Sequence, residues 1–379
     1  MYKVLHIFSS YGGGISSLVI NLVTHSDKEF QFDTLAYSYE GGDTFVKNIE
    51  NAGGSCYLMP RIPKEGLNKH LSFLKQFFSK NTYDVIHCHI SGFDALIFYR
   101  LAKRTNVDTK FIVHAHSTRY DFAPYRNKLA RRINEFINYK VSNCYFYCSD
   151  LAADYIFNSK YLKEKPSYLI ANGVDEKRYD FELLEEEAEK IKREIGIPSG
   201  NKILIHIGRF SAAKNHEFLL KVFLVVRNKM NNVSLLMVGN GELFEDVVAK
   251  SKKLGLERDV FFLGRRNDIP QLLKISDIAL LPSLYEGLPT VGIESQAAGT
   301  PLILSDNITR QTDLGFGLLT YLPIHDIDQW VETCELLLSK NDCIHFNNIR
   351  AICKKGFTAQ AAGELYCKLL KSIIKGEIK

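Results

Sequence analysis

The densest cluster of chemically able residues runs Pro282-Ser283-Leu284-Tyr285-Glu286-Gly287-Leu288-Pro289-Thr290-Val291-Gly292-Ile293-Glu294. Pro289 suits the first position of a helix, because it has no N–H to leave unpaired and its φ is preset. A helix over 289–298 would present the amides of Thr290 and Val291 to an anion. Glu286 falls in the loop before that helix. Glu294 falls inside it, one turn past Thr290 on the same face, where a carboxylate suits ribose hydroxyls better than phosphate. The bland alternative is a capping carboxylate plus a surface glutamate. The spacing of the two glutamates is weak evidence by itself; the Gly-Leu-Pro helix start around them is strong.

A second stretch, Gly208-Arg209-Phe210-Ser211-Ala212-Ala213-Lys214-Asn215, joins a strand to a helix. The planar fork of Arg209 and the point charge of Lys214 can converge on a diphosphate from there. Two surface cations are the alternative. A third, Ser9-Ser10-Tyr11-Gly12-Gly13-Gly14-Ile15, follows the first strand and opens a helix. Its glycines let backbone N–H groups approach a phosphate or oxyanion, though a plain turn needs no more. The dinucleotide fingerprint G-x-G-x-x-G fails at Ser17, and the lysine of a P-loop is missing. A fourth, His114-Ala115-His116, follows a strand. No third ligand motif accompanies it, so no metal is expected; one ring packed and one facing the ligand fits better.

These loops need a scaffold, and the rest of the sequence supplies it. Short β-branched and aromatic runs (2–8, 32–37, 55–59, 85–88, 110–114, 144–148) alternate with helical patterns such as 15–24, 67–79 and 94–103. This rhythm predicts a parallel sheet covered on both faces. It breaks at a short strand over 168–171 and a charged helix over 182–194, then restarts. Strands at 202–207, 233–238, 260–263, 278–281 and 301–304 alternate with helices at 216–229 and 243–253. The expected architecture is α/β, two doubly wound Rossmann-like domains. Residues 1–175 form the first and 176–356 the second; 357–379 form a terminal helix that fits either domain, packing back on the first being one arrangement. Ligand is expected between them, at the carboxyl ends of the strands.

Bulk properties narrow the setting. No apolar run is long enough to span a membrane, and the N-terminus reads as a buried strand rather than a secretory signal. The eight cysteines show no Cys-x-x-Cys pair, so buried thiols in a reducing, cytoplasmic compartment are expected. The net charge of +5 is concentrated in the first half. There a predicted basic helix over 125–140 carries Arg126, Lys128, Arg131, Arg132 and Lys140 against Glu135, interleaved with Ile133, Phe136, Ile137 and Tyr139. Contact with an anionic membrane or a solvated helix face both fit this pattern.

The sequence resembles glycosyltransferase family 4 over nearly its whole length. The matching segments are the Gly-rich first loop, DVIHCH (84–89), IVHAHS (112–117), ANGVD (171–175), GRFSAAKN (208–215), VGNGE (238–242) and EGLPTVGIESQAAGTP (286–301). The last holds the Glu-x7-Glu signature of retaining members. The bacterial exopolysaccharide and capsule branch is the nearest in flavour, as SDNIT (305–309) also suggests. The resemblance implies a GT-B fold facing across a cleft and a nucleotide-sugar donor, UDP by default. It implies no metal or other cofactor, and a glycan or polyprenyl-linked acceptor on the first domain.

The same resemblance assigns roles. Arg209 and Lys214 would bind the diphosphate, and Glu294 the ribose. Glu286 would contact the transferred sugar, with the backbone of Gly287, Leu288, Pro289 and Thr290 near its hydroxyls. Gly208 and Asn215 would border the donor, Gly13 and Gly14 would line its phosphate side, and His116, or else His114, would contact the sugar. Where many relatives carry a Gly-Gly-x-x-Glu loop this chain reads 305–313, with Gln311 near the acidic position. Ser295 replaces a common Ala. Two other classes compete. A nicotinamide dehydrogenase is disfavoured by the broken fingerprint, and a non-catalytic nucleotide- or carbohydrate-binding protein by retention of both glutamates and both cations. No nucleic-acid partner is expected.

Overall fold

Val4, Leu5, Ile7 and Phe8 are fully buried, in-facing and out-facing alike. A strand apolar on both faces needs cover on both, which is the condition of a parallel sheet between helices. The computed structural model describes residues 1–11, 14–39, 43–118, 128–339 and 348–378. They divide into two units, Met1–Gly173 with Gly356–Lys379, and Val174–Lys355.

The first unit contains β1 (Tyr2–Tyr11), β2 (Phe30–Tyr39), β3 (Cys56–Leu58), β4 (Val85–Cys88), β5 (Lys110–Ala115), β6 (Cys144–Tyr147) and β7 (Ser167–Leu169). They form one sheet in the order β3-β2-β1-β4-β5-β6-β7, with every pairing parallel. The order reverses between β1 and β4, and a crevice opens at the carboxyl ends of such a pair. β1 runs three residues past its expected end at Phe8. Ser10 and Tyr11 pair with Ser38 and Tyr39, and the Tyr11 hydroxyl donates to Tyr57 O at 2.7 Å. Those partners lie on other strands and leave no mark in the local Ser-Ser sequence.

The last helix, Ala359–Ile374, belongs to this unit. Thr358 caps it, its Oγ1 accepting from Ala361 N at 3.2 Å. Ala362, Tyr366, Leu369, Leu370 and Ile373 make a buried stripe at helical spacing and join the core of Leu18, Val19 and Leu22 from the helix Gly14–Thr24. Two glycines make the docking close. A Cβ at Gly363 would come within 2.6 Å of His25 Cβ, and one at Gly173 within 2.3 Å of Thr358 backbone.

The second unit contains β8 (Lys202–Ile207), β9 (Val233–Val238), β10 (Val260–Gly264), β11 (Ile278–Leu281), β12 (Leu302–Ser305) and β13 (Leu319–Leu322). Their order is β10-β9-β8-β11-β12-β13, again parallel throughout. The reversal lies between β8 and β11. The bounds of β4, β8, β9 and β11 match the sequence reading. β13 escapes that reading because its four residues are only half-buried at the sheet edge, so it shows neither an apolar run nor clear alternation.

Candidate active site

The loops that leave β8 and β11 meet at the strand-order reversal of the second unit. Leu284 N donates to Ala213 O at 2.8 Å, tying one loop to the other. Lys214 Nζ donates to Glu286 Oε1, and Ser283 Oγ donates to the same oxygen at 2.7 Å. Both members of the ion pair are mostly covered, their side chains 16% and 15% exposed. A pair this sheltered is screened far less by salt than a surface pair.

Backbone close approach shapes the floor. A Cβ on Gly239 would sit 1.9 Å from Gly208 O, and one on Gly208 would lie 3.0 Å from Lys214 Cε. Gly208 therefore leaves room for the Lys214 side chain to reach Glu286. Asn215 adopts left-handed φ/ψ (54°, 46°), linking the 3-10 turn Ala212–Lys214 to the helix His216–Lys229. Asn tolerates that region better than most non-glycine residues, which accounts for its presence by geometry. His206, which the sequence reading passed over, lies fully buried beneath this loop. Its Nδ1 bonds to Leu280 O at 2.8 Å, and burial, with His216 and then Lys214 nearby, holds the ring neutral.

Arg209 takes a different course. It pairs with Glu242 at 3.1 Å, with both side chains more than half exposed. Arg209 thus holds Glu242 while Lys214 holds Glu286.

The helix after β11 spans Thr290–Ala298, with Pro289 as its N-cap at φ −71°, ψ 119°. Pro289 was expected as the first helical residue. Its extended ψ places it one position earlier. The proline brings no side-chain acceptor, so no side chain caps the helix and the first-turn amides keep their capacity for an anion. Gly287, Leu288 and Pro289 are buried and Thr290 half-buried. Glu294 is half-buried, and desolvation raises its carboxyl above the usual carboxylate range, opposed by Tyr179 and Arg178. The Tyr179 hydroxyl, buried beside it, has no hydrogen bond of good geometry among the described residues. Ser295 has a local role, its Oγ donating to Thr300 O at 2.5 Å.

In the first unit, Gly13 lies outside the described residues. Gly14 opens the helix Gly14–Thr24, and a Cβ there would meet nothing within 4 Å among the described residues, so their packing does not require glycine at that position. His114 is buried and His116 half-buried. The expectation that no third ligand accompanies them is corrected. His89 joins His114 and His116, and His6, His87 and His89 form a second trio, each with nitrogens within 4.8 Å. The extra rings come from β1, β4 and the segment after β4. Strand register brings them together, and spacing along the chain cannot show it.

The basic helix spans Lys128–Val141; residues 125–127, Arg126 among them, lie outside the described residues. Its charge is corrected too. Arg131 binds the buried Glu135 at 2.8 Å, and Asn158 Nδ2 reaches the other Glu135 oxygen at 3.1 Å. Ile137 is buried. What the helix exposes is Leu129, Ile133 and Phe136 (65%, 41% and 48%), with Lys128, Arg132 and Lys140 also exposed.

Two parallel, doubly wound units in one chain are the fold of the GT-B glycosyltransferases. Residues 12–178 match the family described as Glycosyltransferase Family 4, and residues 187–314 match Glycosyl transferases group 1. EpsF of Bacillus subtilis (strain 168), named as a glycosyltransferase, is 30% identical over 342 residues, covering 87% of this chain and 86% of EpsF. The capsular polysaccharide biosynthesis glycosyltransferase CapH of Staphylococcus aureus is 26% identical, covering 97% of this chain and 99% of CapH. Among solved structures, Anabaena HepE in complex with UDP and glucose superposes with a TM-score of 0.78 at 17% identity, covering 98% of this chain and all of HepE's. The chain belongs to glycosyltransferase family 4 and is a glycosyltransferase enzyme.

Proposed function

We propose that the protein transfers a sugar, with retention of anomeric configuration, from a UDP-sugar to a lipid-linked glycan during assembly of a bacterial surface polysaccharide. The observation that carries this reading is the sheltered Lys214–Glu286 pair at the β8/β11 reversal, beside a helix start with no side-chain cap. The name of CapH supports the process, and HepE's complex supports the nucleotide. Lys214 and the amides of Thr290 and Val291 stabilise charge on the departing diphosphate, with Arg209 at its edge. Preorganised groups of this kind need no reorganisation as the bond breaks. Glu286, held in place by Lys214 and Ser283, accepts from sugar hydroxyls. Glu294 accepts from the ribose. Gly208, Asn215, Gly287, Leu288 and Pro289 border the donor. The reaction needs no metal, because the cations above supply the positive charge. A thermal-shift panel of nucleotides checks the donor. UDP and UDP-sugars are expected to raise the midpoint by several degrees at saturation; a shift confined to guanine or adenine nucleotides would overturn the UDP assignment.

The acceptor side lies on the first unit, at the cytoplasmic face of the membrane. Among the described residues no helix is long and apolar enough to cross a membrane. The exposed Leu129, Ile133 and Phe136, flanked by cations, suit the headgroup boundary of an anionic bilayer, where each nearby Lys or Arg contributes about 1 kcal/mol. Changing Arg132 and Lys140 to Glu is therefore expected to weaken co-sedimentation with anionic liposomes by at least about tenfold. Arg131 is unsuitable for this test, since its loss would strand the buried Glu135. Equal binding by the double variant and the parent would count against this surface.

A further inference from the structure

Five imidazoles and one phenol in the first unit form a single unbranched chain of hydrogen bonds. His114 Nδ1 lies 3.0 Å from His87 Nε2, and His87 Nδ1 lies 2.9 Å from the Tyr366 hydroxyl. That hydroxyl is 3.3 Å from His6 Nε2. His6 Nδ1 is 3.0 Å from His89 Nε2, and His89 Nδ1 is 2.7 Å from His116 Nε2. β1, β4 and the residue after it, β5 and the residue after it, and the last helix each contribute.

A neutral imidazole carries one N–H and one lone pair, on opposite sides of the ring. The phenol donates once and accepts once in line. Every link in such a row must therefore point the same way. Two arrangements satisfy all the links and also pair the phenol's own hydrogen: Nδ1–H on every ring, or Nε2–H on every ring; a phenol accepting from both neighbours would bury its O–H unpaired. The row is neutral, because burial lowers the pKa of His6 and of His116 to about 3 and holds His87, His89 and His114 well below the ordinary histidine value. The inner end breaks the tie. His114 Nε2 is buried without a partner among the described residues. The Nε2–H arrangement would bury an unpaired N–H there, whereas the alternative leaves only an unfilled lone pair. Orphaned buried N–H groups are the rarer case in folded proteins.

We propose that this row locks its five histidines in the Nδ1–H tautomer, so that His116 presents a fixed Nδ1–H donor to a substrate oxygen, with Tyr366 as the positioning residue that carries the polarity through. The substrate part rests on the reading of His116 as a sugar-contacting residue; the tautomer part does not. His116 then orients substrate and neither gains nor loses a proton. The same bonds argue against a metal. In each link one nitrogen's lone pair is already engaged by its neighbour's hydrogen, so no trio offers convergent lone pairs.

Long-range proton–nitrogen correlation spectra of the full chain, labelled with nitrogen-15 histidine, read each tautomer directly. Five neutral Nδ1–H rings are expected at neutral pH. Tyr366→Phe cuts the row, so His6, His89 and His116 are expected to lose the uniform pattern, and the KM for the donor or acceptor to rise about tenfold with kcat less affected. An Nε2–H or mixed tautomer at His116 in the parent protein would overturn the lock, as would stoichiometric zinc binding that shifts these rings together. A shifted tautomer in Tyr366→Phe with unchanged KM would leave the lock standing and overturn the substrate role of His116.

Discussion

Replacing Lys214 by alanine is expected to lower kcat by about 10²–10³-fold, the range seen when one preorganised stabiliser of developing charge is removed. That corresponds to roughly 3–4 kcal/mol of transition-state stabilisation. The donor's KM should move less, because in the proposed site the arginine, the helix amides and Glu294 would still hold the nucleotide. Folding should survive. The pair sits on loops, and its loss strands Glu286 with Ser283 as a remaining donor, a cost of about 1–3 kcal/mol. Arg209→Ala should be milder, since Arg209 is exposed and already paired with Glu242. Steady-state kinetics beside a thermal melt separates the two effects. Parental turnover in Lys214→Ala would remove Lys214 from the reaction.

The first unit should also unfold steeply in mild acid. His6, His87, His89 and His114 are at most 8% exposed, and burial depresses each pKa. The sign follows from proton counts. Below about pH 6.5 an unfolded histidine takes up a proton that the folded one refuses. The stability these residues preserve is thus present above that pH and is lost as pH falls toward their folded values. Four such residues together remove about 5 kcal/mol per pH unit once below that point. A domain's whole margin is about 5–15 kcal/mol. Circular dichroism against pH should show cooperative loss of structure between roughly pH 6 and 5, with uptake of several protons. A melting midpoint unchanged from pH 7 to pH 5 would contradict the burial of these rings as neutral groups. In the second unit Glu294 works in the opposite direction, since a raised carboxyl pKa favours the folded state as pH falls.

What the sequence showed and what it hid divide along physical lines. Strand and helix rhythm is a local property, so β8, β9 and β11 and the helix His216–Lys229 were readable residue by residue. The helix start after β11 was readable because a loop, a proline and the first helical turn occupy one short segment; the pairing of Lys214 with Glu286, 72 residues on, was not. Pairing across the sheet was not readable. Nothing in the segments around His6 and Tyr366, 360 residues apart, shows that the two share a hydrogen bond. The DVIHCH and IVHAHS segments signalled histidines, but their assembly into a row depends on β1, β4 and β5 lying side by side. Arg131 misled for the same reason. Its helical neighbour Glu135 is buried against Asn158 on another helix, which turns an apparent surface charge into an internal tie. Pro289 was displaced by one position because a proline's φ suits both the N-cap and the first helical residue; only ψ distinguishes them.

Lys214, which ties the loop after β8 to Glu286 in the loop after β11, carries the largest expected effect in the proposed reaction. One measurement tests that most directly. The purified protein and Lys214→Ala are each incubated with UDP-sugars and a polyprenyl-diphosphate-linked sugar acceptor, and the product's anomeric configuration is read by proton NMR. The account predicts UDP release matched by a glycoside that keeps the donor's configuration, reduced about 10²–10³-fold in the variant. An inverted product, or equal transfer by both proteins, would contradict it.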